Sequence, residues 1–249
     1  MRALLAFFTV LPVAAPGSML EDAARGVYLL PLVGLLAGLP GAALLLLAFV
    51  APPGVAATLA LGAALLVAGL HHTDGVMDVG DALMVRGSPA QRREILKDAR
   101  TGVGAVGALF VVYGPPLAVL AAFAANSPAR AAVALLAGEV AARSAMLLLL
   151  VFGRPAADDS SSAYFVRALK EGKRRLAALI LALALPSLVA LSLGPVAILV
   201  TLAALAATVL FALVLARRAF GGISGDASGA TGELARAVLL VALSIVVSY

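Results

Sequence analysis

The sequence predicts an all-α fold: a polytopic integral membrane helical bundle of about seven transmembrane spans with additional polar motif helices, forming one domain over residues 1–249. Three observations predict it. Of the 249 residues 63% are hydrophobic and only 12% are charged, where soluble domains carry about a quarter charged. The apolar residues come in runs of about 20, not in alternating or amphipathic patterns. The polar residues gather between those runs, in segments at about 71–101, 153–175 and 217–233. Together with a mean hydropathy of +1.10, this excludes a soluble or disordered chain.

The elements follow in order. Residues 3–16 resemble a signal peptide only superficially, because their basic region is a single arginine, and they read as an interfacial or re-entrant piece. Residues 27–50 and 55–70 form a helical hairpin about Pro52-Pro53-Gly54. Residues 103–125 and about 131–152 form a second, joined by Asn126-Ser127-Pro128, and 176–193 with 196–216 form a third about Gly194-Pro195. A short last span covers 234–249. This connectivity puts the three long polar segments on one side of the bilayer. Thirteen of the eighteen Lys and Arg residues lie in them, so the positive-inside rule assigns that side to the cytoplasm, in the cell (inner) membrane. The same rule accounts for the net charge of +5, and no nucleic-acid partner follows from it. With no cysteine in the chain, disulfides, thiolate metal sites and cysteine nucleophiles are excluded.

The stretch His72-Thr73-Asp74-Gly75-Val76-Met77-Asp78-Val79-Gly80-Asp81 carries the most chemistry. As a helix it sets Asp74, Asp78 and Asp81 at i, i+4 and i+7, on one face. Stacked carboxylates repel, and a divalent cation relieves the repulsion. Mg²⁺ takes oxygen ligands, often one or two carboxylates plus substrate phosphates, so the array points to phosphate chemistry. The plain alternative is an acidic solvated face; Gly75 and Gly80 weigh against it, being poor helix formers that permit close backbone approach to a ligand. Zinc is disfavoured because His71 and His72 are the only histidines, and these read more naturally as structural.

Ser88-Pro89 supplies an N-cap and first-turn proline to a helix carrying Glu94 and Asp98 four apart, with Arg93, Lys97 and Arg100 on an adjoining stripe. This is either a salt-bridged solvated face or a clamp for phosphate oxygens. Residues 220–233 hold five glycines in fourteen positions. They form either a connector or a loop whose amides, from Gly221, Gly222 and Gly225, cradle phosphate, with Asp226 as a further metal ligand. Glu139 and Arg143, at i and i+4 inside a span, either pair with each other or mark a functional site. Asp158-Asp159 and the basic run from Lys170 to Arg175 read as a loop and a positive-inside anchor in reach of anionic headgroups.

These residues resemble the cobalamin synthase family, the adenosylcobinamide-GDP ribazoletransferases of vitamin B12 biosynthesis, over most of the chain. Phe7-Phe8-Thr9-Val10-Leu11-Pro12 is similar to that family's Phe-x-Thr-x-x-Pro start, and Pro31-Leu32-Val33-Gly34 to its first-span pattern. His72-x-Asp74-Gly75-x-x-Asp78-x-x-Asp81 matches its specific signature. The stretches Glu94 to Gly102 and Gly221 to Ala230 recur in the family's order. The chain departs from the pattern at Ala82, Ala99, Ser224 and Ser228, where the family has Gly, Ser, Thr and Leu; Ala99 removes a hydroxyl, which weakens a catalytic claim for that position.

The resemblance implies a Mg²⁺-dependent transfer of the adenosylcobinamide-phosphate group from adenosylcobinamide-GDP to α-ribazole or its 5′-phosphate, releasing GMP. On that reading Asp74, Asp78 and Asp81 are catalytic and hold the metal with Asp226, or one of them accepts the hydroxyl proton. His72, Arg93, Lys97, Arg100, Gly221, Gly222 and Gly225 contact substrate. Two rival classes fit the pattern less well. A CDP-alcohol phosphotransferase or prenyltransferase would carry differently spaced Asp motifs, and a secondary transporter would place its acids near the bilayer midplane in broken helices. The sequence leaves the oligomeric state open, a homo-oligomer included.

Overall fold

The computed structural model describes residues 1–14 and 17–247. α1 (Arg2–Phe8) turns Ala3, Leu4 and Phe8 inward, and α2 (Met19–Gly26) follows behind Ser18. The opening piece anticipated at 3–16 is thus a short helix laid on the bundle; Ala15 and Pro16 lie outside the described residues. α2 continues through a tight turn into α3 (Leu30–Leu45), giving one 31-residue helical stretch, Met19–Phe49. α4 (Pro53–Val67) starts on Pro53, whose fixed φ suits a first turn and whose missing N–H removes nothing there.

The span expected to run on to residue 70 stops at Val67, because Gly69 and Leu70 adopt left-handed φ of 75° and 60°. The chain bends there by 93°, and α5 (His71–Met84) leaves crosswise. α6 (Pro89–Ile95) starts as expected. The Ser88 hydroxyl accepts from the Gln91 amide while the Gln91 side chain accepts from the Ser88 amide, a complete capping box. It ends at Ile95, so Glu94 and Asp98 do not share a helix face. α7 (Val103–Asn126) and α8 (Pro128–Phe152) form the second hairpin, with the Ser127 hydroxyl capping α8. α9 (Ser161–Ala168) is a short polar helix. α10 (Gly172–Leu191) and α11 (Pro195–Leu215) form the third hairpin, closed by Gly194 at φ 118°.

The last helix is longer than expected. After a π-helical turn at Ala216–Phe220 and a left-handed Gly221, α12 (Gly225–Val246) begins under a Ser224 cap. Nine of the fourteen positions of the glycine-rich stretch anticipated as loop, 225–233, are therefore the first turns of a helix, and Glu233 lies inside it. Of the span set at 234–249, Ser248 and Tyr249 lie outside the described residues.

Among the described residues, six helical stretches are long and apolar enough to cross a membrane, and a seventh follows if the bent α4–α5 pair counts as one crossing. α8 is the axis: it packs against α3, α10 and α12, and almost every side chain from Ala131 to Val151 is buried. Lipid-immersed helices gain little from hiding apolar surface from one another, so close packing carries the association. Gly34 shows how close: a Cβ there would collide with the Glu139 carbonyl oxygen of α8.

All three polar segments meet at one end of this bundle. α5 packs on α12, and Arg93 donates to the Phe220 carbonyl at 2.7 Å. Residues 153–156 pair with Ile223 through Ile223 N–H to Arg154 O (2.8 Å) and Ala156 N–H to Ile223 O (2.9 Å).

Candidate active site

α5 lies across that end, and its sequence explains how it fits. Glycine inside a helix costs roughly 1 kcal/mol relative to alanine, yet α5 contains two. A Cβ on Gly75 would stand 2.7 Å from the carbonyl oxygen of Asp226, and one on Gly80 would stand 2.6 Å from that of Gly104. The backbone approach anticipated for a ligand is made instead to α12 and α7. Its result is to hold Asp226 against the aspartate helix.

Asp74, Asp78 and Asp81 line a cleft of about 330 Å³ whose other wall carries Lys97, Asp98, Arg100 and Thr101. The charges act on one another: partial burial first, then the carboxylates of Asp74, Asp226 and Asp81, push the Asp78 carboxyl up to about 6. Asp81 also serves the fold, since its two oxygens accept from the backbone N–H groups of Gly102 (2.6 Å) and Ala105 (2.8 Å) at the start of α7. That is the work of a capping residue, supplied from another helix.

Among the described residues, no three His, Asp or Glu side chains are drawn together closely enough to hold a metal ion. The donor chemistry nevertheless fits a hard divalent cation. The carboxylates are all-oxygen, mutually repelling and open to the cleft, the setting in which Mg²⁺ is held by one or two carboxylates with substrate phosphates completing the shell.

The basic residues divide. Lys97 and Arg100 border the cleft; the Arg100 guanidinium is paired with Asp98 at 2.7 Å and is well exposed. Arg93 is not on the cleft wall and serves to tie α6 to the turn before Gly221. The glycine turn is likewise engaged: Gly221 N–H donates to Arg217 O, Gly222 N–H to Ala216 O, and a Cβ on Gly222 would collide with the backbone of Ala156 at 2.7 Å. Of the three glycines, only Gly225, at the start of α12, lines a cavity next to Asp226.

Below the aspartates lies a set of charges that spacing alone did not find. Arg236 of α12 reaches Glu139 of α8 at 2.6 Å and also pairs with Glu233; Arg143 stands 3.9 Å from Glu233; all four are essentially fully buried. Glu139 and Arg143 thus do not form the i, i+4 pair anticipated as one reading; each turns to α12. His72 is buried beside them, with Nδ1 3.9 Å from Glu233, and burial together with the Arg143 guanidinium holds its imidazole well below the usual range, hence neutral. The Tyr113 hydroxyl donates to Thr73 at 3.0 Å while its ring faces the Arg236 guanidinium, 5.5 Å from the centroid. Arg236 within an apolar run was the available signal for this network.

A family model described as cobalamin-5-phosphate synthase matches residues 1–244. The chain belongs to that family. Curated relatives named adenosylcobinamide-GDP ribazoletransferase include one from Pyrobaculum islandicum, 35% identical over 98% of this chain and 95% of its own length. One from Azorhizobium caulinodans is 36% identical over 98% and 94%, respectively. A third, from Thermoplasma volcanium, is 30% identical over the whole of this chain and 91% of its own. No solved structure matches the chain.

Proposed function

We propose that this membrane-embedded transferase is an adenosylcobinamide-GDP ribazoletransferase: it moves the adenosylcobinamide-phosphate group onto a ribose hydroxyl of α-ribazole or of its 5′-phosphate and releases GMP. The observation that carries the reading is the single cleft in which Asp74, Asp78 and Asp81 face Lys97 and Arg100, in a chain of this family. Phosphoryl transfer needs positioning and charge stabilisation more than covalent help from the protein.

Asp74, Asp78 and Asp226, with the remaining lone pairs of Asp81, would hold Mg²⁺. Bound there, the ion supplies charge neutralisation to the diphosphate oxygens. Lys97 and Arg100 meet the negative charge that develops on the departing guanylate, and one carboxylate of the array accepts the proton of the attacking hydroxyl. Arg93 and the Gly221–Gly222 turn hold α6 and α12 in register around the cleft. The basic end of the bundle faces the cytoplasm across the inner membrane, by the same distribution of Lys and Arg that the positive-inside rule describes.

Purified protein in detergent, given Mg²⁺, adenosylcobinamide-GDP and α-ribazole, is expected to release GMP. A folded preparation that releases none refutes the assignment. Because the chain contains no cysteine, a Gly87→Cys variant reports the orientation: an impermeant thiol reagent should reach it only from the cytoplasmic side, and labelling from outside would reverse the topology.

A further inference from the structure

A second cavity, of about 390 Å³, opens beside Asp226, within the roughly 300–1,000 Å³ range of small-molecule sites. Its walls come from six helices, α1, α2, α5, α8, α9 and α12. Phe7 and Phe8 of α1 meet Phe165 of α9 at centroid distances of 5.4 and 5.7 Å, and Phe8 stands 6.2 Å from the His72 ring. α12 contributes Asp226 and Ser228. The Ser228 hydroxyl is buried, 5% exposed as a residue, and has no hydrogen-bond partner among the described residues. A buried polar group without a partner costs free energy, so one lining a cavity marks a place where a ligand atom completes it.

The character of the cavity selects its occupant. Among the described residues no lysine or arginine lines it, and Asp226 puts a carboxylate on its wall, which disfavours a guanylate there. Aromatic walls with one buried, unmatched hydroxyl, that of Ser228, suit a flat, uncharged heteroaromatic ring. Asp226 borders this cavity and acts electrostatically on Asp78 in the acidic cleft. A ring seated here therefore sets an attached ribose next to the phosphate-handling carboxylates, on the side away from Lys97 and Arg100. In-line displacement requires that separation of entering and leaving groups.

We propose that this cavity seats the planar base of the acceptor nucleoside, with Phe7, Phe8 and Phe165 as its walls and Ser228 as its hydrogen-bonding contact. The assignment rests on the ribazole-transferring reading above and gives the Phe7-Phe8 motif a role, in which α1 roofs the acceptor site.

The test uses the full chain in lipid nanodiscs. Phe7→Ala, at a half-buried position, should raise KM for α-ribazole about tenfold, the change expected on losing one aromatic contact to a base. KM for adenosylcobinamide-GDP should stay within about twofold of wild type. Ser228→Ala should weaken α-ribazole binding, followed by calorimetry without the cobinamide substrate, and Phe165→Leu should do the same with the fold checked by thermal melting. An unchanged KM for α-ribazole in folded Phe7→Ala and Ser228→Ala, or a rise confined to adenosylcobinamide-GDP, overturns the assignment. Wild-type protein that releases GMP while Phe7→Ala kinetics are unchanged sinks the cavity and leaves the reaction standing. Wild-type protein that binds α-ribazole and loses that binding in Phe7→Ala upholds the cavity even without turnover.

Discussion

Gly75→Ala tests whether the acidic site depends on the backbone contact between α5 and α12. The new methyl carbon would sit 2.7 Å from the Asp226 carbonyl oxygen and 3.0 Å from its Cα. Carbon–oxygen contacts settle at about 3.3 Å or more, so α12 must retreat by roughly 0.6 Å. Overpacking of this kind costs about 1–3 kcal/mol, and the better helix propensity of alanine returns about 1 kcal/mol, which leaves a net destabilisation of about 0–2 kcal/mol. Activity should suffer more. A misplacement of about 1 Å can cost on the order of 100-fold, so half that distance between Asp226 and Asp78 should lower kcat for GMP release about tenfold. Gly62→Ala in α4 is the control, because a Cβ there meets nothing within 4 Å. Wild-type turnover in a Gly75→Ala protein shown to be folded would refute the claim that this contact sets the geometry of the site.

Four further outcomes are expected. Asp78→Asn should abolish GMP release with insertion and thermal stability intact, since it removes one of several repelling charges; retained turnover would remove its metal role. Asp81→Ala should lower stability by about 1–2 kcal/mol through loss of the α7 cap, and a melting temperature equal to wild type would argue against that cap. Because Asp78 binds its proton more tightly when folded, Mg²⁺ affinity should fall as pH drops below about 6. The cation-free protein should gain stability as pH falls from about 6 towards the ordinary carboxylate range and lose it as pH rises through 6; calorimetry and melting at pH 5.5 and 7.5 read both, and pH-independent values would contradict the coupling. Arg236→Leu leaves Glu139 buried without its partner and Glu233 with Arg143 alone, at 3.9 Å, and should cost about 3–5 kcal/mol; a loss below about 1 kcal/mol in denaturant titration would contradict the pairing.

What the chain's spacing made legible is what local physics decides. The hairpins follow from apolar runs broken by Pro and Gly, the start of α6 from Ser88, Pro89 and Gln91, and the common face of Asp74, Asp78 and Asp81 from helical periodicity. The failures lie where distant parts of the chain override local preference. Glycines at 225, 229 and 232 look like loop, but Gly229 and Gly232 lie against His72 and Met146 in close packing that a helix of larger residues could not make. Leu70 in a left-handed conformation carries no composition signal, so the bend that turns α5 across the bundle was invisible. Asp81 bonds to an amide 24 positions away and Glu139 to a guanidinium 97 positions away; no periodicity encodes either. The Phe7-Phe8 motif was visible as a pattern but not as a wall, because its partner Phe165 comes from another short helix.

The pairing of Glu139 with Arg236 has a consequence for how this protein is made. The ribosome delivers α8 well before α12, so two charged side chains on the central helix enter the hydrocarbon with their counterions still unsynthesised. Hydrated or shielded intermediates must bridge that interval, and the bundle can close around its axis only when the last helix arrives. The buried charges of the axis helix are therefore matched only once the C-terminal helix has joined it.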